Sequence, residues 1–172
     1  MILSHYYINK DIRRLIAARD ATKRKFCPLE RARRVLILLR ENERMAMEAE
    51  LERFARGRTP YFVSYTNDAL APSPSDDRYT FSLKKELNLW GYPSERLMAE
   101  WLSHEADMLI DLSQGEIPAL QYLVLRHAAP CKIGIKGRTG DIYDLAIAAK
   151  DGEDVNFLFN QIIFYLETIN FK

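Results

Sequence analysis

Long apolar runs are missing from this 172-residue chain. No stretch approaches the ~20 apolar residues that span a bilayer, so no transmembrane segment is expected. The start does not read as a signal peptide. Its apolar stretch Leu15 to Ala18 stands between Arg14 and Arg19 and is too short for a signal core. Cysteine is scarce: Cys27 and Cys131 sit far apart, in no CxxC or metal spacing. Two lone thiols fit a reducing compartment, the cytoplasm, and give no reason to expect a metal.

The signatures of common chemistry are absent too. No G-x-G-x-x-G follows the first expected strand. Arg40-Glu41-Asn42-Glu43 stands there instead, and acids would repel a pyrophosphate. No G-x-x-x-x-G-K-[ST], H-E-x-x-H or G-x-S-x-G occurs. No catalytic residue, cofactor or metal is therefore assigned. The three histidines, His5, His104 and His127, fall on three expected helices, two of them near helix C-termini. A histidine there complements the helix dipole, and the sequence names no partner for catalysis.

What is present is an ordinary globular composition, 48% hydrophobic and 28% charged. The net charge of +1 hides an asymmetry. Residues 1–34 hold ten Lys or Arg against three acids, so the remainder is acidic by six. Residues 5–25 read as a basic amphipathic helix with Ile8, Ile12, Leu15 and Ile16 on one face. The short apolar run Arg34–Leu39 reads as a strand buried on both faces.

Further along, Glu41–Arg56 reads as a helix stopped at Gly57, and Pro60–Thr66 as a strand. A Pro/Ser/Asp stretch from Pro72 to Asp77 is the longest loop. Tyr79–Ser82 alternates weakly, and Glu86–Trp90 is a candidate third strand. A helix capped by Ser94 runs to about Glu105. Asp107–Leu112 is a strand, followed by a helix opened by Pro118. Cys131–Ile135 and Tyr143–Ala148 are strands joined by the turn Lys136–Asp141, and Asp154 caps a final helix.

Helices and strands alternate almost throughout. The expected fold class is therefore α/β: a three-layer αβα Rossmann/flavodoxin-like domain with a mostly parallel sheet of five or six strands. Cys131–Ala148 breaks the alternation and predicts an antiparallel edge or a bulged continuation. Residues 1–26 form the basic helical extension and residues 27–172 a single domain.

Some residues carry two readings. Asp107 and Asp111 flank one strand. Asp107 lies at its entrance, while Asp111 at its exit is either a ligand-contacting tip or, the favoured reading, a polar cap of the next helix. Gly134, Gly137 and Gly140 beside Lys136 and Arg138 suit a turn better than an anion nest. The final helix is apolar nearly all round (Phe157, Phe159, Ile163, Phe164), so either the N-terminal helix or a second copy of the chain covers it.

Several segments in order resemble an uncharacterised bacterial family, a domain of unknown function known mainly from Bacteroidetes. They are Lys23-Arg24-Lys25-Phe26, Pro28-Leu29-Glu30 leading into Val35–Leu39, Lys85–Gly91, Ala106–Ser113, Cys131–Gly134 and Tyr143-Asp144-Leu145. The resemblance covers most of the chain. It implies a compact cytoplasmic protein and carries over no active residue. A weaker similarity, over Asp107–Gly134, is to one half of the two-domain glycosyltransferases of lipopolysaccharide core. It speaks to fold alone.

Two functional expectations follow. The first is a non-enzymatic binding or scaffold protein that uses its basic segment (Lys10, Arg13, Arg14, Arg19, Lys23, Arg24, Lys25) on an anionic partner: RNA, a membrane surface or an acidic protein. The alternative is a binder or enzyme for a small anionic ligand at the carboxyl ends of the strands, at Thr66, Asn67, Ser113, Gln114, Lys136 and Arg138. A homodimer through the C-terminal helix is the expected assembly.

Overall fold

The computed structural model describes residues 5–19, 27–137 and 140–169. The chain order is α1 (Tyr6–Ala18), β1 (Arg34–Arg40), α2 (Glu41–Ala46), α3 (Glu48–Phe54), β2 (Thr59–Thr66), β3 (Arg78–Ser82), α4 (Leu83–Glu86), α5 (Glu95–Ser103), β4 (Met108–Asp111), α6 (Pro118–Arg126), β5 (Cys131–Ile135), β6 (Leu145–Ile147) and α7 (Val155–Thr168). The strands form one six-stranded sheet in the order β3-β2-β1-β4-β5-β6. Every pairing is parallel.

Alternation along the strands divides the core into two faces. Val35, Ile37 and Leu39 of β1, with Met108 and Ile110 of β4, pack under α3 and α7. Leu36, Leu38 and Leu109 point the other way, under α5 and α6. The helices after β1 and after β4 thus lie on opposite faces, as right-handed crossovers require when the strand order runs outward in opposite directions. Ser94 caps α5 through a hydrogen bond from the Leu97 amide, and Asp154 caps α7 through one from Asn156.

The antiparallel edge expected from the sequence is not found: β6 runs parallel to β5. The nine residues between them reach about 30 Å extended, ample to return over a strand about 17 Å long without a helix. The described residues at the end of this connection lie on the α5/α6 face, where Ile142 is buried and Tyr143 packs against the core. Gly134 is therefore not a turn residue. It lies within β5, and a β-carbon there would come within 2.8 Å of Tyr143 Cδ1 and closer still to Cε1 and Cζ.

Three other expectations change. Glu86–Trp90 is not a strand; β3 is Arg78–Ser82, and Asn88 folds the next residues into a turn by accepting from the amides of Trp90 and Tyr92. The helix over 41–56 is broken at Met47 into α2 and α3, and the buried Met47 side chain plugs the core at the break. Finally, α1 does not cover α7. It packs against α6 on the opposite face, with Ile8 and Ile12 fully buried and Ile16 against the α5/α6 core. Arg19 fastens its end, donating to the Asp144 carboxylate at 2.8 Å and the Asp141 carbonyl at 3.1 Å.

Candidate functional site

In this strand order β1 is the point of reversal. The chain leaves β1 toward one face and β4 toward the other, so a crevice opens between their carboxyl ends. A cavity of about 770 Å³ occupies that crevice. Its walls come from the end of β1 and α2 (Arg40, Glu43), the β4–α6 connection (Ser113, Gln114, Glu116), the β5–β6 crossover (Lys136, Tyr143) and the turn before α7 (Lys150, Asp151).

Asp111 forms the floor. It is the last residue of β4, on the α5/α6 face, and 1% exposed. One carboxylate oxygen accepts from the Ser113 amide at 2.8 Å and from its hydroxyl at 2.5 Å, and the other accepts from the Tyr143 hydroxyl at 2.5 Å. Burial raises its pKa above the ordinary carboxylate value, against the opposing pull of these hydrogen bonds. It holds Tyr143 across the sheet, and the missing side chain of Gly134 gives that ring its room.

Arg40 and Glu43 form the opposite wall. The Arg40 guanidinium stands over the buried Tyr65 ring, 5.8 Å from its centroid. The buried Arg40 Nε, Glu43 Oε2 and Tyr65 hydroxyl make no hydrogen bond among the described residues. Burial raises the Glu43 carboxyl, opposed by the Arg40 charge, and raises the Tyr65 phenol to about 12. A donor and an acceptor left unmatched in one cavity cost stability that a ligand returns.

Glu41 has a different task. It turns toward β2 and β3 and accepts from Arg44 Nη2 at 2.9 Å, Thr80 at 3.2 Å and the Ser64 hydroxyl. Burial pushes its pKa up, but Arg44 and the two hydroxyls outweigh it and the net shift is downward. Helix α2 begins at Glu41, directly after the last residue of β1. No loop is left there to cradle a pyrophosphate.

Of the residues expected from sequence at the strand ends, Ser113, Gln114 and Lys136 share this cavity. Gln114 also ties the rim together, donating to the Glu153 carbonyl at 2.9 Å. Thr66 and Asn67 do not line it; Thr66 ends β2 and Asn67 follows it, with Thr66 hydrogen-bonded to Asp68. Arg138 lies outside the described residues, as do Lys23, Arg24 and Lys25 of the basic segment. Lys10, Arg13 and Arg14 are exposed, whereas Arg19 is engaged with Asp144. Sequence reasoning missed Arg40, Glu43 and Tyr143 as site residues and favoured a capping role for Asp111. An acid closing the otherwise apolar strand Met108–Asp111 was the signal available.

The histidines stand away from the cavity. His127 Nδ1 accepts from the Ala129 amide at 3.0 Å and its Nε2–H donates to the His104 carbonyl at 2.8 Å, so both ring nitrogens are used. His104 stacks on Tyr61 with centroids 3.6 Å apart. Both cysteines are free thiols, and burial pushes Cys131 up to about 11. Among the described residues no group of His, Cys, Asp and Glu is placed to hold a metal ion, and no helix is long and apolar enough to cross a membrane.

The family described as "Family of unknown function (DUF6913)" matches residues 5–169. No curated protein and no solved structure matches the chain. The chain belongs to that family, whose description assigns no activity.

Proposed function

Starting from a family with no assigned activity, we propose that this protein binds a small polar metabolite with an anionic group in the cleft between β1 and β4. The carrying observation is the unmatched pair on one wall: Arg40 Nε offers a buried donor and Glu43 Oε2 a buried acceptor. A ligand presenting an acceptor beside a donor satisfies both once these two side chains turn toward the cleft. Lys136 and Lys150 favour an acidic group on it, and Glu116 and Asp151 in the same walls favour a hydroxyl or amino group beside that acid. The continuous passage from β1 into α2 argues against a dinucleotide, so a sugar phosphate, nucleoside monophosphate or amino acid fits better. Ser113 and Tyr143 spend their protons on Asp111, which supports binding over catalysis.

The test is a thermal-shift screen with these three ligand classes at millimolar concentration. A ligand at a hundred times its Kd adds about 2.7 kcal/mol. In a domain of this size that raises Tm by roughly 5–10 °C. Lys136→Gln should shrink the shift while leaving the unliganded melt in place, and Arg40→Gln, which also gives up the contact with Tyr65, should shrink it relative to its own unliganded melt. If no ligand of any class moves Tm, the reading fails.

Two further parts of this reading concern setting and assembly. A cytoplasmic location is supported by the two unpaired thiols. Pairing of two copies through α7 is supported by Phe157, Phe164 and Tyr165, exposed on its outer side.

A further inference from the structure

The outward face of α1 combines charge with flat rings. A helix turns about 100° per residue, which groups Tyr6, Lys10, Arg13 and Arg14 on the side away from Ile8 and Ile12. The isoleucines are completely buried, and the other four, with Tyr7, are exposed. At the start of the helix three rings meet. Tyr7 stands edge-on to Tyr6 and to Trp90, each pair with centroids 5.5 Å apart. Tyr6, Tyr7 and Trp90 are 53%, 54% and 51% exposed. The one acid on α1, Asp11, is occupied: it accepts from the Tyr92 hydroxyl at 2.7 Å and lies 3.6 Å from Arg14. Glu116 and Arg13 line one small pocket beside the middle of the helix.

We propose that this face binds single-stranded nucleic acid, with bases stacked on the Tyr6–Tyr7–Trp90 rings and phosphates held by Lys10, Arg13 and Arg14. Half-exposed rings beside a row of cations on one rigid helix face are the two elements that hold an unpaired strand: a stacking platform and an electrostatic track. The rings take any base, so recognition is sequence-tolerant. A membrane surface fits less well. An interfacial helix sinks an apolar stripe into lipid, and here that stripe is spent on α6. The rings and Lys10 line no part of the cleft, and Arg13 alone approaches it, across Glu116, so the reading does not depend on what the cleft binds.

The experiment is fluorescence anisotropy of the full chain with a short labelled oligouridylate, alongside quenching of tryptophan emission. Trp90 reports on the surface because the other tryptophan, Trp101, is buried. Three neutralised phosphates at about −0.7 each give a slope of about −2 in log K against log salt. Affinity should then fall about twentyfold between about 50 and 200 mM salt. Trp90→Ala should weaken binding about fivefold or more and abolish the quenching, and Trp90→Phe should restore most of the affinity. The combined Lys10→Gln, Arg13→Gln, Arg14→Gln variant should lose most of the binding and remain folded. If that variant does not fold, the Trp90 pair decides alone. The proposal is overturned if the oligonucleotide does not bind at low salt, or if a duplex binds as well as the single strand and Trp90→Ala has no effect. It is also overturned if phosphatidylserine vesicles bind where the oligonucleotide does not.

Discussion

At the scale of single residues, the site rests on one missing side chain. Tyr143 lies over Gly134 and reaches Asp111 from there. Gly134→Ala would drive a methyl group into the ring, and the cost of such overpacking is typically about 1–3 kcal/mol. The ring must then leave Asp111, so the ligand-induced rise in Tm should also shrink. Chemical denaturation of the two proteins, with and without ligand, checks both effects. A variant of wild-type stability would mean that the crossover tolerates displacement. The glycine was visible in the sequence, but its reason was not. A glycine beside Lys136 and Gly137 reads as turn chemistry until the chain returning overhead is seen.

At the scale of elements, α7 shows how far a pattern reaches. Its apolar residues made the helix and its Asp154 cap legible, but not which side faces inward. In the fold Phe159 is 2% exposed and stacks edge-on with Phe54, whereas Phe164 is 59% exposed. Phe159→Ala should therefore cost about 3–5 kcal/mol, and Phe164→Glu no more than about 0.5 kcal/mol. Urea unfolding midpoints separate the two. A large loss from Phe164→Glu in the monomer would contradict the orientation of α7. Helix α1 gives the complementary lesson. The stripe Ile8, Ile12 and Ile16 was evident from its spacing, but its cover is α6, on the face opposite α7. A stripe states that a partner exists and is silent on which one.

For the molecule as a whole, carboxylates at the strand ends bend stability with pH in two directions. Asp107 is lowered chiefly by the Arg34 amide, and Glu41 ends lowered despite its burial. Both contribute stability that is present above their unfolded values and lost as pH falls. Asp111 acts the other way. Its folded pKa is raised, so between 3.8 and that raised value the folded chain keeps a proton that the unfolded chain releases. Stability from this group falls as pH rises through that window. Asp111→Asn removes the term, so the difference in Tm between variant and wild type should grow in the variant's favour from acid toward neutral pH. Melting curves at several pH values test this, and a constant difference would show that Asp111 does not titrate there.

The sequence by itself determined the α/β class, nearly every element, the scarcity of reactive thiols and the absence of a phosphate loop. These are local properties: periodicity, caps and residue spacing depend on neighbours a few positions away. The tertiary structure alone decided the strand order, the parallel sense of β6 and the side of the sheet on which each helix lies. It therefore also decided that Arg40, Glu43, Asp111 and Tyr143 meet in one cleft. Those residues are spread over more than a hundred positions, and no spacing rule links them. They converge because β1 and β4 are neighbours in a sheet whose connections leave on opposite faces, and that adjacency is a property of the assembled core.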